Sequence, residues 1–131
     1  MTSGDPASSV MWMRPFLPAK DFEQSRRFYE ALGFWATPLG DKLAHMQLGD
    51  HSGQFSFLLQ DFYVKEFAEN LMMHLLVGDL DGWWRHIASL RLDDAFGVKA
   101  PRAPKLESWG LRVAYVFDPA GVLWHIAAEP C

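Results

Sequence analysis

The chain has 131 residues, 50% of them hydrophobic and 15% aromatic, which is ample for one packed domain or for two small repeats sharing a core. Its formal net charge of −4 comes from scattered acidic residues, without the clustered basic face of a nucleic-acid binder. No apolar run approaches membrane-spanning length, so no membrane partner is expected.

The opening MTSGDPASSV lacks both a basic start and an apolar core, so it is not a secretory signal, and residues 1–9 read as a flexible tail. The one cysteine is Cys131, so no disulfide forms within the chain and a reducing, cytoplasmic setting is expected. Val10 to Ala19 reads as a first strand, with Trp12, Arg14 and Phe16 on one face and Met13 and Leu17 on the other. Pro15 and Pro18 lack donors, which puts this strand at an edge or paired on one side.

Asp21 then caps a helix with Gln24 at the capping-box position, Phe22, Ser25, Tyr29 and Leu32 share one face, and Gly33 ends it. Trp35–Leu39 and Leu43–Leu48 form a hairpin around Gly40-Asp41, Gly49 to Gly53 make a turn, and Gln54–Gln60 is another strand. The order is β-α-β-β-β. Asp61 to Asn70 is a linker with a helical turn.

A second copy of this plan follows at an offset of 58: Leu71–Val77 as a strand, then a helix over Asp79–Leu90 in which Asp79, Leu80, Trp83, Ile87 and Leu90 replace Asp21, Phe22, Ser25, Tyr29 and Leu32. Between Asp93 and Gly110 a short strand is expected near Phe96–Ala100, followed by a long basic loop with Lys99, Arg102 and Lys105. Leu111–Phe117 and Val122–Ala128 close the unit around the turn Asp118-Pro119-Ala120-Gly121.

Three pieces, LPAKDFEQSRRFYEALGF (Leu17–Phe34), VGDLDGWW (Val77–Trp84) and DPAGVLWHIAAE (Asp118–Glu129), resemble the vicinal oxygen chelate superfamily of glyoxalase I, extradiol dioxygenases and bleomycin-resistance proteins. The resemblance implies an α+β fold of two βαβββ repeats whose curled mixed sheets surround one cavity, usually in a homodimer. Residues 10–131 would form the single domain, with one module over residues 10–60, a linker over 61–70 and the second module over 71–129.

In metal-dependent members a ligand precedes each helix-capping acid by seven residues, and another follows the acid of the closing turn by seven. Carried over, these positions hold Arg14, Met72 and His125, with Phe57 at the fourth, matched from the Gly49-Asp50 turn. One arginine, one methionine, one phenylalanine and one histidine do not make a divalent-metal site, because such ions take imidazole and carboxylate ligands. No cofactor is therefore expected, and a divalent metal on His74 and His125 is the alternative.

His74 shares a face with Met72, two residues away, and is expected to point into the same cavity as His125. Trp109, placed after the basic loop and before a glycine, is the aromatic best placed to line a pocket mouth. His45, His51 and His86 have no spacing that asks for more than strand, turn and helix-surface roles. The expected ligand-binding set is thus Trp12, Arg14, Phe16, Phe57, Met72, His74, Trp109 and His125.

Three functions follow as expectations. The first is a metal-independent protein of the bleomycin-resistance type that binds a small molecule between the sheets. The second is a lyase, isomerase or dioxygenase of the same superfamily with an altered His74/His125 site. The third is an interaction domain whose cavity is filled by side chains.

Overall fold

The computed structural model describes residues 5–50 and 52–130. Two four-stranded mixed sheets carry the fold, and neither closes into a barrel. The first, in the order β1-β4-β3-β2, contains β1 (Phe16–Pro18), β2 (Trp35–Pro38), β3 (Leu43–Leu48) and β4 (Phe55–Gln60). The second, in the order β5-β8-β7-β6, contains β5 (Met72–Leu76), β6 (Arg102–Leu106), β7 (Arg112–Phe117) and β8 (Leu123–Ala128). In each sheet the first strand runs parallel to the last and the remaining pairs are antiparallel.

The repeated helices are α1 (Phe22–Leu32) and α3 (Leu80–Leu90), with α2 (Lys65–Ala68) in the linker and α4 (Leu92–Phe96) after α3. Asp21 and Asp79 each accept a backbone hydrogen bond three residues on, from Gln24 and Gly82, so both helices start in the same way. They stop differently. Gly33 ends α1 at φ +125°, whereas the residue after α3 is Arg91, held left-handed at φ +51°. His86 sits at the α1–α3 junction, with Nε2 3.1 and 3.2 Å from the carbonyl oxygens of Ala31 and Leu32. It therefore satisfies carbonyls that the end of α1 leaves open, a tertiary role beyond the helix-surface one expected of it.

Only Phe16–Pro18 of the first expected strand forms a ladder, at a sheet edge with a partner on one side, as two prolines require. The larger correction lies after α3. The strand expected near Phe96–Ala100 is displaced to Arg102–Leu106, inside the stretch expected to be a loop, and α4 occupies the residues before Gly97. β6 is an edge strand whose register shifts between Arg102 and Lys105, around Pro104, so the proline is accommodated without costing a central hydrogen bond.

One buried core serves both repeats. Leu17, Met46, Phe57 and Leu59 from the first sheet join Trp124, Ile126, Ala114 and Val116 from the second, with Phe28, Tyr29, Leu80 and Ile87 from the helices. Tyr29 makes edge or tilted ring contacts with Phe28, Phe34, Phe57 and Trp124 at centroid distances of 5.3, 5.5, 4.8 and 5.7 Å. Each sheet thus gives one face to the shared core, and strand alternation turns its other face away from it.

Candidate functional site

The open face of the second sheet is built around His125. β8 pairs with β5 so that His125 lies beside His74, and with β7 so that it lies beside Tyr115. Alternation sends all three side chains to the same side. The His74 and His125 ring centroids are 6.2 Å apart, and Tyr115 meets His125 edge-on at 4.9 Å. The turn between β6 and β7 folds Trp109 back over the sheet, where its ring stacks on His125 at 6.3 Å with 23° between planes. Trp109 is still 54% exposed, so much of its surface is available to a ligand.

Electrostatics tune this face. The Tyr115 hydroxyl donates to Glu107 Oε2 at 3.0 Å, and burial followed by that bond raises the phenol above its ordinary range. Burial, then the neighbouring His74, holds His125 below its ordinary value, with Glu107 pulling the other way. His125 is therefore a neutral ring at physiological pH, suited to stacking and to one donated and one accepted hydrogen bond. Met72, exposed at the start of β5, lies two residues from His74 on the same face.

The open face of the first sheet carries Phe16 from β1 and Ser56 and Leu58 from β4. Arg14 and Trp12 extend the β1 line. Arg14 Nε donates to Ser56 Oγ at 2.9 Å, and its guanidinium carbon lies 3.1 Å from the Trp12 ring centroid.

Phe57 does not belong with them. It is 1% exposed and faces the core, in ring contact with Tyr29, Phe34 and Trp124. The register Phe16↔Leu58 puts Ser56 and Leu58 on the Arg14 side, one residue either side of the expected position. A one-residue offset reverses a strand side chain.

The single cavity expected from all these residues is also not closed within one chain. Trp12, Arg14 and Phe16 lie on the open face of the first sheet, and Met72, His74, Trp109 and His125 on that of the second. A smaller cleft of about 250 Å³ opens at the margin of that core, with Met13, Phe55, Phe57, Met73, His74 and Trp124 among its walls.

The family's metal chemistry does not fit this donor set. Arg14 cannot serve as a ligand, Phe57 has no donor, and the pair His74 and His125 lacks a third partner: among the described residues no group of three or more His, Cys, Asp or Glu is placed to hold an ion. Sequence reasoning missed Tyr115 and Glu107. Alternation along β7 pointed to the first, but the displaced β6 concealed the second.

Residues 10–126 match the Glyoxalase/Bleomycin resistance protein/Dioxygenase superfamily. A bleomycin resistance protein from Klebsiella pneumoniae is 29% identical over 117 residues, covering 86% of this chain and 87% of the relative. Among solved structures, a bleomycin-binding protein complexed with bleomycin superposes with a TM-score of 0.74 at 26% identity, covering 90% of this chain and 98% of that one. A bleomycin resistance determinant encoded on the transposon Tn5 gives 0.75 at 26% identity, covering 91% and 98%.

Proposed function

The chain belongs to the glyoxalase/bleomycin resistance protein/dioxygenase superfamily, and from that premise we propose that it binds and sequesters a small molecule without a metal, as a cytoplasmic homodimer. The observation that carries this reading is the face around His125. Trp109, His125 and Tyr115 present stacked and edge-on rings to the outside of the sheet, with Trp109 half exposed. Such a surface suits a planar ligand. The donor set supports metal independence, since among the described residues two imidazoles stand without a third ligand.

The dimer supplies the missing half of the site. Each sheet leaves an open face that a single chain does not cover, and a second copy can lay its first-sheet face against the second-sheet face of the other. Two-fold pairing then builds two equivalent cavities. The exposed apolar segment Val10, Met11, Trp12 and Met13, next to β1, is the surface that such a copy would cover.

Bleomycin, bound by one of the structural relatives, is the first ligand to test. Titration of the untagged protein, followed by tryptophan fluorescence, should give saturable quenching at one ligand per chain. A flat titration with bleomycin and with a panel of aromatic antibiotics would argue for an interaction domain instead.

A further inference from the structure

The first sheet's open face holds polar groups that stacking on the His125 face does not use. Arg14 is held by two side chains and passes close to a third residue. Its Nε donates to Ser56 Oγ, its guanidinium covers the Trp12 ring, and one terminal amino group passes 3.1 Å from where a side chain on Gly53 would begin. Gly53 has φ +81°, so a side chain there would be strained as well as crowded. Ser56 is held in turn by donating to the Gly53 carbonyl at 2.7 Å, which leaves its oxygen as the acceptor for Arg14. The two terminal amino groups of Arg14 have no hydrogen-bond or ion-pair partner among the described residues.

His45 lies on the same face. It pairs with Leu58, which pairs with Phe16, and Arg14 precedes Phe16 by two residues. Its Nε2 is buried and has no hydrogen-bond partner. A fixed cation with free donors, on the same sheet face as a buried ring nitrogen without a partner, leaves hydrogen-bonding capacity that an apolar or cationic ligand would not satisfy.

We infer that Arg14 and His45, with Ser56 holding the guanidinium in place, form a subsite for the oxyanion of a small molecule, a carboxylate, sulfonate or phosphate borne on an apolar body that lies against Trp12 and Phe16. This names the ligand class of the proposed binding function and rests on it. The planar fork of Arg14 presents two parallel donors to two oxygens. Burial, then the Arg14 charge, holds His45 below its ordinary range in the free protein. An oxyanion between the two offsets that repulsion, so His45 takes up a proton as the ligand binds and donates from Nε2. Arg14 is the one charged group on this face of the described sheet. The other side chains facing His45 are Leu43 and Gln47 on β3, Ser56, Leu58 and Gln60 on β4, and Trp35 and Thr37 on β2.

The test compares two fluorescent probes of matched shape on the whole chain: anilinonaphthalene sulfonate, which carries an oxyanion, and its uncharged parent phenylnaphthylamine. The sulfonate should bind about tenfold more tightly than the parent, as a charge-assisted contact implies. Arg14→Met should abolish that difference while leaving the affinity for the parent and the thermal midpoint unchanged. Sulfonate affinity should fall as the pH rises from about 5 to about 8, and His45→Gln should flatten the profile. If both probes bind and Arg14→Met weakens them equally or not at all, the oxyanion subsite is overturned while the binding function stands. If neither probe binds while bleomycin or an aromatic antibiotic does, the oxyanion subsite is overturned and the binding function stands; if none of them binds, both readings fall.

Discussion

Tyr29 donates its hydroxyl hydrogen to Asp118 Oδ2 at 2.5 Å, tying the first helix to a turn 89 residues further along the chain. The same hydroxyl oxygen accepts from Trp124 Nε1 at 3.0 Å, and Asp118 Oδ1 accepts from the amides of Ala120 and Val122 at 2.8 and 2.9 Å. Tyr29 is fully buried, and Asp118 and Trp124 nearly so. The closing turn of the second repeat is therefore anchored in the first, and the two repeats share this polar centre as well as their apolar core.

Removing the hydroxyl alone should be costly. Tyr29→Phe keeps the ring contacts but leaves Asp118 Oδ2 and Trp124 Nε1 without their shared partner. Each buried group left unsatisfied costs about 1–3 kcal/mol, so a loss of roughly 3 kcal/mol is expected in urea unfolding. The far-UV spectrum should be unchanged. A loss within measurement error of zero would mean that water reaches this centre.

The same network makes stability depend on pH. Burial pushes the Asp118 carboxyl from its ordinary 3.8 up to about 6, against the opposing pull of Tyr29 and the turn amides. The folded protein thus holds this proton more tightly than the unfolded chain does. Its contribution is greatest below about pH 4 and is lost as the pH rises through about 6, by about 3 kcal/mol in all. Asp118→Asn retains an acceptor for the amides and cannot ionise. The stability of wild type relative to Asp118→Asn should therefore decline between about pH 4 and about pH 7. A difference that stays constant across that range would show that Asp118 is ionised throughout.

Much of the architecture was legible because both repeats use the same local signals. Asp21 and Asp79 mark the helix starts, and Gly33 marks the end of α1. The turn around Asp118 closes the second sheet just before β8. Alternation also placed His74 and His125 on one face, since each is defined by its own strand. The reading failed where a position was counted across an irregular segment. Phe57 was located by counting from the Gly49-Asp50 turn, and it lies one residue off the open-face positions Ser56 and Leu58. β6 was hidden because Pro104 within it and Pro101 just before it disguise an edge strand. His45 gave no sign at all, because what sets it apart is Arg14, which shares its face only through the pairing of β1 with β4 and of β4 with β3.

Trp109 should contribute to ligand binding without contributing to the fold. It sits on a turn, 54% exposed, and its packing is the stack on His125. Trp109→Ala should weaken binding of an aromatic ligand by about 1–2 kcal/mol, or roughly tenfold, and leave the unfolding midpoint within about 0.5 kcal/mol of wild type. Unchanged affinity by calorimetry would remove Trp109 from the site.

Metal content offers an independent check. Two imidazoles make a weak site, so untagged protein dialysed against dilute metal should retain no stoichiometric zinc, iron or manganese by mass spectrometry. The His125→Ala variant should give the same result. One tightly held ion per chain, lost in that variant, would restore the metal-dependent reading.

Self-association should depend on the segment next to β1. Met11 and Met13 are 86% and 87% exposed and Val10 is 67% exposed, the highest values among the large apolar side chains of the described residues. Because they touch little within their own chain, Met11→Asp with Met13→Glu should leave the monomer's fold intact. In a dimer that covers this segment, each methionine contributes roughly 1.5–3 kcal/mol through burial, and a carboxylate in its place adds a desolvation cost. Wild type should sediment as a dimer at micromolar concentration. The double variant, with a Kd weakened at least about a hundredfold, should sediment as a monomer with an unchanged far-UV spectrum. It should also lose ligand binding, because the two open faces then no longer meet. A dimeric double variant that still binds would place the interface elsewhere, and a monomeric wild type that binds ligand would mean that one open face is sufficient.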